Sequence, residues 1–203
     1  MTVEELYEKL SSKQFQDPSN GDLFYNFFIY QYPADKEYEI RDRIQEFKQQ
    51  LIRPINYVDV LTMNLFEEFC HFLDSQKFDN ETPSLLKAIL KSDASDPDGI
   101  SNAVADMAES EEFLKYIHSR ILSHINIEDD KIRPYIFLYG IGSMFPYMRT
   151  NTFLTRYEEY NESGRYKIII FYPGVVENNN YHLFGLLNDD HTYRATKLMN
   201  GNE

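Results

Sequence analysis

Tyr135–Tyr139 reads YIFLY, and Lys167–Tyr172 reads KIIIFY. Uninterrupted apolar runs of this length are typical of strands that are buried on both faces of a parallel sheet. Two further strands are predicted at Leu23–Tyr32 (LFYNFFIYQY) and Ile55–Met63 (INYVDVLTM), because both segments are rich in aromatic or β-branched residues. These four segments decide the fold class.

Segments with the apolar spacing of helices separate the predicted strands. They are residues 3–15, Asp35–Leu51, a helix that Asn64 caps, a short helix at 85–90, a helix that starts at Glu109, and one that contains Phe153–Tyr157. Alternation of strands and helices predicts an α/β fold with three layers: a mostly parallel sheet with helices on both faces. Tyr181–Leu187 and Thr192–Leu198 predict a C-terminal antiparallel hairpin that starts after the stop signal Pro173–Gly174.

A chain of 203 residues without an internal repeat is expected to form one domain, spanning residues 1–203. The most irregular part is a polar helical insertion around residues 74–111. Within it, Asp93–Gly99 has the composition of a loop.

The net charge is −13, and it is unevenly distributed. Residues 1–130 contain 26 acidic and 12 basic side chains, whereas residues 131–203 contain 7 and 8. Nucleic acids and anionic membranes repel such a chain, so we expect it to bind neither directly. The acidic start, one cysteine and the lack of a long apolar stretch predict a cytoplasmic protein.

The glycine-rich segment after the YIFLY strand invites a nucleotide-binding interpretation. However, no Gly-Lys dipeptide of a P-loop is present, and Phe145 stands where a dinucleotide fingerprint has its third glycine. Gly140 and Gly142 therefore form either a tight turn for packing or a loop that contacts a ligand. The sequence predicts no cofactor.

The five histidines lack the spacing of metal ligands, and no nucleophile elbow is present. Asp59 has no acidic or basic partner at the spacing that a metal-dependent nuclease needs. We therefore predict no metal site and no catalytic residue, and we leave the question of enzymatic activity open with a preference for none.

Arginines beside aromatic residues are the best candidates for recognition. Arg149 follows Phe145-Pro146-Tyr147-Met148, and Arg194 follows Tyr193. Each guanidinium forms either an internal ion pair or a clamp for a carboxylate or phosphate. Tyr172, Pro173 and Gly174 end a central strand, where open α/β sheets commonly bind ligands. Arg149, Asn151, Tyr172 and Arg194 form a candidate pocket at these strand ends.

Six segments resemble the BrxB family of the bacterial BREX bacteriophage exclusion system, in order, between residues 23 and 198. They are Phe28–Arg41, Tyr57–Val60, Gly140–Arg149, Phe171–Gly174, Leu183–Leu187 and Tyr193–Ala195. One position departs from the family pattern: a histidine often stands two residues after the arginine, and here that residue is Asn151. The departure weakens any proposal of acid–base chemistry at this loop.

The resemblance implies a non-catalytic assembly or regulatory component of anti-phage defence that works through protein–protein contacts. It also implies other BREX proteins as partners: the ATPase BrxC, the phosphatase-like PglZ and the methyltransferase PglX. Two alternatives stay open. One is a ligand- or nucleotide-binding domain, with or without hydrolytic activity, whose pocket lies at the strand ends. The other is DNA binding through the nearly neutral C-terminal third.

Overall fold

The apolar runs form the centre of a sheet in the computed structural model, which describes residues 1–17, 27–78, 84–125, 134–160, 165–177, 180–189 and 196–197. The strands are β1 (Phe27–Tyr32), β2 (Val60–Asn64), β3 (Tyr135–Tyr139), β4 (Lys167–Glu177), β5 (Asn180–Leu183), β6 (Leu187–Asp189) and β7 (Thr196–Lys197). The helices are α1 (Val3–Ser11), α2 (Lys13–Gln16), α3 (Glu37–Leu51), α4 (Leu65–Ser75), α5 (Leu85–Ser92), α6 (Pro97–Ala108), α7 (Glu111–Ile125) and α8 (Thr150–Tyr157). Short 3₁₀ helices lie at Ala34–Lys36, Ile141–Met144 and Glu158–Tyr160.

The central sheet has the order β2-β3-β4-β1-β7, and all of these neighbours pair in parallel. The chain moves from β1 past two strands to β2, and then returns one strand at a time to β3 and β4. Right-handed crossovers require helices on opposite faces when the direction reverses. Accordingly, α3 packs on one face together with α1, whereas α4, α7 and α8 pack on the other. The predicted three-layer α/β fold is confirmed.

The two faces have separate cores, since alternate residues of each strand point to opposite sides. Ile44 and Phe47 of α3 pack with Phe137 and Phe171 on one face. On the other face, Ile170 lies in the core that α7 and α8 complete. None of the described helices combines the length and the apolar character needed to cross a bilayer.

The stop predicted at Pro173–Gly174 is wrong, because β4 continues to Glu177. Pro173 is the last residue of β4 in register with β1, and its carbonyl oxygen accepts a hydrogen bond from the N–H of Phe184 at 2.9 Å. From Gly174 onward, β4 pairs antiparallel with β5 instead. The proline therefore lies where the strand changes partner, and it does not end the strand.

The expected C-terminal antiparallel hairpin is present, but with other arms. β4 pairs with β5, and β5 pairs with β6 across a turn at residues 184–186. Of the predicted second arm, the structure describes Thr196–Lys197, which pairs in parallel with β1. We call residues 174–177 and 180–189 the hairpin extension.

The structure also corrects the bounds of two predicted segments. The predicted strand at Ile55–Met63 begins only at Val60, because residues 52–57 form a tight turn. The predicted loop at Asp93–Gly99 ends early: Asp96 caps α6 through the N–H of Gly99 at 3.1 Å. The predicted cap Asn64 is confirmed, since its Oδ1 accepts the N–H of Phe66 at 3.2 Å.

Candidate functional site

The candidate residues lie around the edge of the sheet where the parallel strands end, which we call the carboxyl edge. Open α/β sheets bind ligands at this edge, because the loops there can diverge around a crevice. β2 ends there at Asn64, β3 leads there into Gly140, and β4 crosses it at Pro173.

The loop after β3 packs tightly against its neighbours. Gly140 has a φ of +72°, and a side chain at this position would collide with the Oδ1 of Asn64. The Asn64 Nδ2 also donates to Glu67 at 2.8 Å, so α4 fixes this side chain. At Gly142, an added Cβ would lie 2.8 Å from the ring of Phe184. Both glycines thus occupy tightly packed positions.

This loop leads through Pro146 into the first turn of α8. The Phe145–Pro146 peptide bond is cis, and Pro146 is exposed. Arg149 is also exposed and occupies the N-cap position of α8, where its carbonyl oxygen accepts the N–H of Phe153 at 3.1 Å. Asn151 is buried, and its Oδ1 accepts the N–H of Thr152 at 2.7 Å. The structure therefore brings Arg149 and Asn151 together on one helical turn.

Tyr172 is fully buried, two residues before the position where β4 begins to pair with β5. An added Cβ at Gly174 would lie 2.6 Å from Cε1 of the Tyr172 ring and would collide with the carbonyl oxygen of His182. Gly174 is therefore required for the close approach of β5 to β4. Tyr193 and Arg194, the remaining candidates, lie outside the described residues.

Gln31, which the sequence analysis did not select, lies beside Tyr172 in the β1–β4 register. Both side chains point to the face that α8 covers, where Tyr157 of α8 contacts the ring of Phe27 at 6.3 Å between centroids. The Nε2 of Gln31 is buried and has no hydrogen-bond partner among the described residues. A buried amide without a protein partner is uncommon, and either an ordered water or a bound group would satisfy it. The one sequence signal was a polar residue near the end of an apolar strand.

On the opposite face, a satisfied polar network joins the end of β1 to α3. The hydroxyl of Tyr32 donates to Glu37 at 2.5 Å, and the Nε of Arg41 donates to the other Glu37 oxygen at 2.8 Å. Burial, together with the hydrogen bond to Glu37, raises the pKa of Tyr32 far above its usual value. The hydroxyl therefore remains a hydrogen-bond donor, and the network anchors the first turn of α3 to the sheet.

Among the described residues, no three His, Cys, Asp or Glu side chains lie close enough to hold a metal ion. The Oδ2 of Asp59, considered above as a metal ligand, lies 2.8 Å from Nε2 of His124. This contact links the last turn of α7 to the residue that precedes β2.

Several large apolar side chains are exposed on the described surface. One group lies near the carboxyl edge, in the hairpin extension and at the start of α4: Phe66, Val175, Phe184 and Leu186. A second group lies at the opposite edge, in the turn that precedes β2: Ile52, Ile55 and Tyr57. Large apolar side chains that are exposed close together in the chain, as in the second group, are more typical of interaction sites than single exposures spread over several elements.

Comparison with known proteins identifies the family. Residues 61–198 match the family model described as BREX protein BrxB. A relative from Bacillus cereus (strain H3081.97), named BREX protein BrxB, is 23% identical over 199 residues, which cover 97% of this chain and 95% of the relative. No solved structure matches. The chain belongs to the BrxB family.

Proposed function

We propose that this chain is a non-catalytic assembly or regulatory component of a BREX anti-phage complex and acts through protein–protein contacts. Membership of the BrxB family indicates a role in the BREX system. The observation that favours protein contacts is the exposure of Ile52, Ile55 and Tyr57 on the short, hydrogen-bonded turn that precedes β2. In this proposal the protein works in the cytoplasm as a single domain.

The partners in this proposal are the other BREX proteins: the ATPase BrxC, the phosphatase-like PglZ and the methyltransferase PglX. The acidic charge supports a partner with a basic surface. All seven acidic residues between 93 and 112 are exposed, and this stretch contains no lysine or arginine. Complementary charge accelerates association and selects among partners, so this surface would orient the encounter.

Affinity purification tests the proposal directly. The tagged chain is expressed in cells that contain its complete gene neighbourhood, and the bound proteins are identified and quantified. We expect at least one other BREX protein to be recovered at a fixed ratio to the tagged chain. Recovery of the tagged chain alone at moderate salt would contradict the proposal.

The Nε2 of Gln31, which has no hydrogen-bond partner in the part of the chain that the structure describes, favours a second candidate function, the binding of a small ligand at the carboxyl edge. Arg149 and Asn151 lie at the end of the helix that covers this face, so an anionic ligand could reach both the helix turn and the amide. A panel of nucleotides is screened for a shift in the melting temperature of the protein. We expect a nucleotide that binds to raise the melting temperature of the wild type. The same nucleotide should not shift the melting temperature of Gln31→Leu or Arg149→Ala. If no nucleotide shifts the wild type, this candidate is lost.

A further inference from the structure

The turn between α3 and β2 presents three large apolar side chains to solvent. We call residues 52–57 the 52–57 loop. Ile52, Ile55 and Tyr57 are 56%, 85% and 63% exposed. Three such side chains lie within six residues, whereas the exposed apolar residues that are normal on a protein surface are scattered singly.

Backbone hydrogen bonds fix the shape of the 52–57 loop. The carbonyl oxygen of Arg53 accepts the N–H groups of Asn56 at 2.9 Å and Tyr57 at 3.0 Å. The N–H of Val58 then donates to the carbonyl oxygen of Leu51 at 2.9 Å, which closes the loop at its base. A partner that binds this loop therefore pays little conformational entropy to order it.

Tyr57 has a φ of +53°, which is rare for a bulky residue. Phe184 has a similar φ of +57°, but there the conformation places the ring against Gly142 and Pro173. The ring of Tyr57 remains 63% exposed. Strained conformations of this kind cluster at sites of function, where a side chain must be held in one direction.

The charge of the 52–57 loop differs from that of the chain as a whole. Arg53 is exposed and forms no salt bridge with a described residue. The sequence between Gln49 and Val58 contains no acidic residue. The chain nevertheless has a net charge of −13. The positive charge of Arg53 favours a position near the C-terminal end of α3, where the helix dipole is negative. Its exposed guanidinium can also form two parallel hydrogen bonds with a carboxylate.

We propose that the 52–57 loop is a docking surface for a segment of a partner protein that presents apolar side chains beside a carboxylate. The inference rests on the proposed function, since the partner is the BREX protein that co-purifies with the chain. Isoleucine, tyrosine and arginine side chains supply the apolar contact and the paired charge that dominate protein interfaces. The partner's segment needs only one carboxylate. The rest of the partner protein can therefore have the basic surface that the acidic residues between 93 and 112 favour.

Two other occupants fit less well. In a two-fold dimer formed through the 52–57 loop, the symmetry would bring Arg53 of each copy towards the other, and like charges repel. An anionic membrane attracts Arg53, but it repels a chain with a net charge of −13 at longer range.

The test compares loop variants with variants of matched exposure elsewhere. Tagged wild type, Ile55→Ser, Arg53→Glu and Arg53→Lys are purified from cells with the complete gene neighbourhood. The controls are Leu90→Ser on α5 and Leu186→Ser at the tip of the hairpin extension, which alter side chains that are 69% and 84% exposed. We expect Ile55→Ser and Arg53→Glu to lower recovery of one BREX protein by about tenfold or more. Arg53→Lys keeps the charge and should have a smaller effect, and both controls should recover the partner as the wild type does.

Each other outcome overturns the inference in a different way. If every variant recovers the partner equally, the docking surface lies elsewhere and the proposed function stands. If the wild type recovers no BREX protein, both proposals fail. If the purified wild type self-associates and Ile55→Ser abolishes this self-association, the 52–57 loop binds a second copy of the chain. Sedimentation with phosphatidylglycerol vesicles that Ile55→Ser abolishes would assign it to a membrane.

Discussion

Two turns of this protein place an aromatic residue in the left-handed backbone region, and they use it differently. In the hairpin extension, Phe184 directs its ring onto Gly142 and Pro173, so an intramolecular contact compensates for the strain. In the 52–57 loop, Tyr57 is 63% exposed, and Ile55 and Arg53 belong to the same six residues. The same strained backbone conformation thus directs a side chain into the fold at one edge of the sheet and towards solvent at the other.

The largest effect is expected at the base of the hairpin extension. Gly174→Ala places a methyl group against the carbonyl oxygen of His182, which is backbone and cannot move without displacing β5. We expect the substitution to lower the free energy of unfolding by roughly 2–4 kcal/mol, as other buried steric clashes do.

Urea denaturation measures this loss, and Val175→Ala provides the control. Val175 is the next residue of β4, but its side chain is 48% exposed, so its truncation should change stability by less than about 1 kcal/mol. Equal unfolding midpoints for the two variants would show that β5 does not approach Gly174 as closely as described.

A smaller effect is expected at Phe184. Phe184 is 41% exposed, so part of its surface is buried, and its ring contacts Gly142 and Pro173. Phe184→Ala removes this contact and leaves the strained backbone in place. We expect a loss of about 1–2 kcal/mol, and Phe184→Gly should recover part of it because glycine adopts a positive φ without strain. If Phe184→Ala is as stable as the wild type, the contact with Gly142 and Pro173 does not compensate for the strain, and the contrast between the two turns disappears.

Tyr57 should behave in the opposite way. Tyr57→Gly removes an exposed ring and relieves the left-handed strain, so the free energy of unfolding should be unchanged or rise by up to about 1 kcal/mol. Thermal melts of Tyr57→Gly and Tyr57→Ala separate the two contributions, since alanine retains the strain. A clear loss of stability in Tyr57→Gly would mean that the ring contributes to the fold, as Phe184 does.

The smallest effects on stability are expected at the two tips. Ile55 and Leu186 are 85% and 84% exposed, so Ile55→Ser and Leu186→Ser should each change the free energy of unfolding by less than about 0.5 kcal/mol. Matched melting curves for the two variants would allow any difference in partner binding to be assigned to the surface itself. A large loss in either one would show that its tip is packed in the folded chain.

The sequence predicted those parts of the fold that local patterns control. The runs at Tyr135–Tyr139 and Lys167–Tyr172 are strands because nearly every side chain is apolar, and Asn64 caps α4 through a hydrogen bond to a residue two positions away. These features depend on neighbours in the chain, so the sequence alone indicates them.

Predictions failed where distant segments decide the structure. Pro173 and Gly174 resemble a stop signal, but β5 supplies a new partner from beyond the predicted end of the strand. The Nε2 of Gln31 is buried by segments that are distant in the chain, and no pattern around residue 31 indicates this burial. The strand predicted at Ile55–Met63 begins only at Val60, because Tyr57 adopts a positive φ in the preceding turn. A positive φ at a tyrosine has no signal in the sequence, so the prediction placed the start of the strand too early.

The central claim is that the 52–57 loop, and not the equally exposed tip of the hairpin extension, binds a BREX partner. The most direct measurement is the dissociation constant of the co-purifying BREX protein for purified wild type, Ile55→Ser and Leu186→Ser. The account predicts that Ile55→Ser weakens binding by about tenfold or more, whereas Leu186→Ser stays within about twofold of the wild type. Equal binding by all three proteins, or a loss confined to Leu186→Ser, would contradict it.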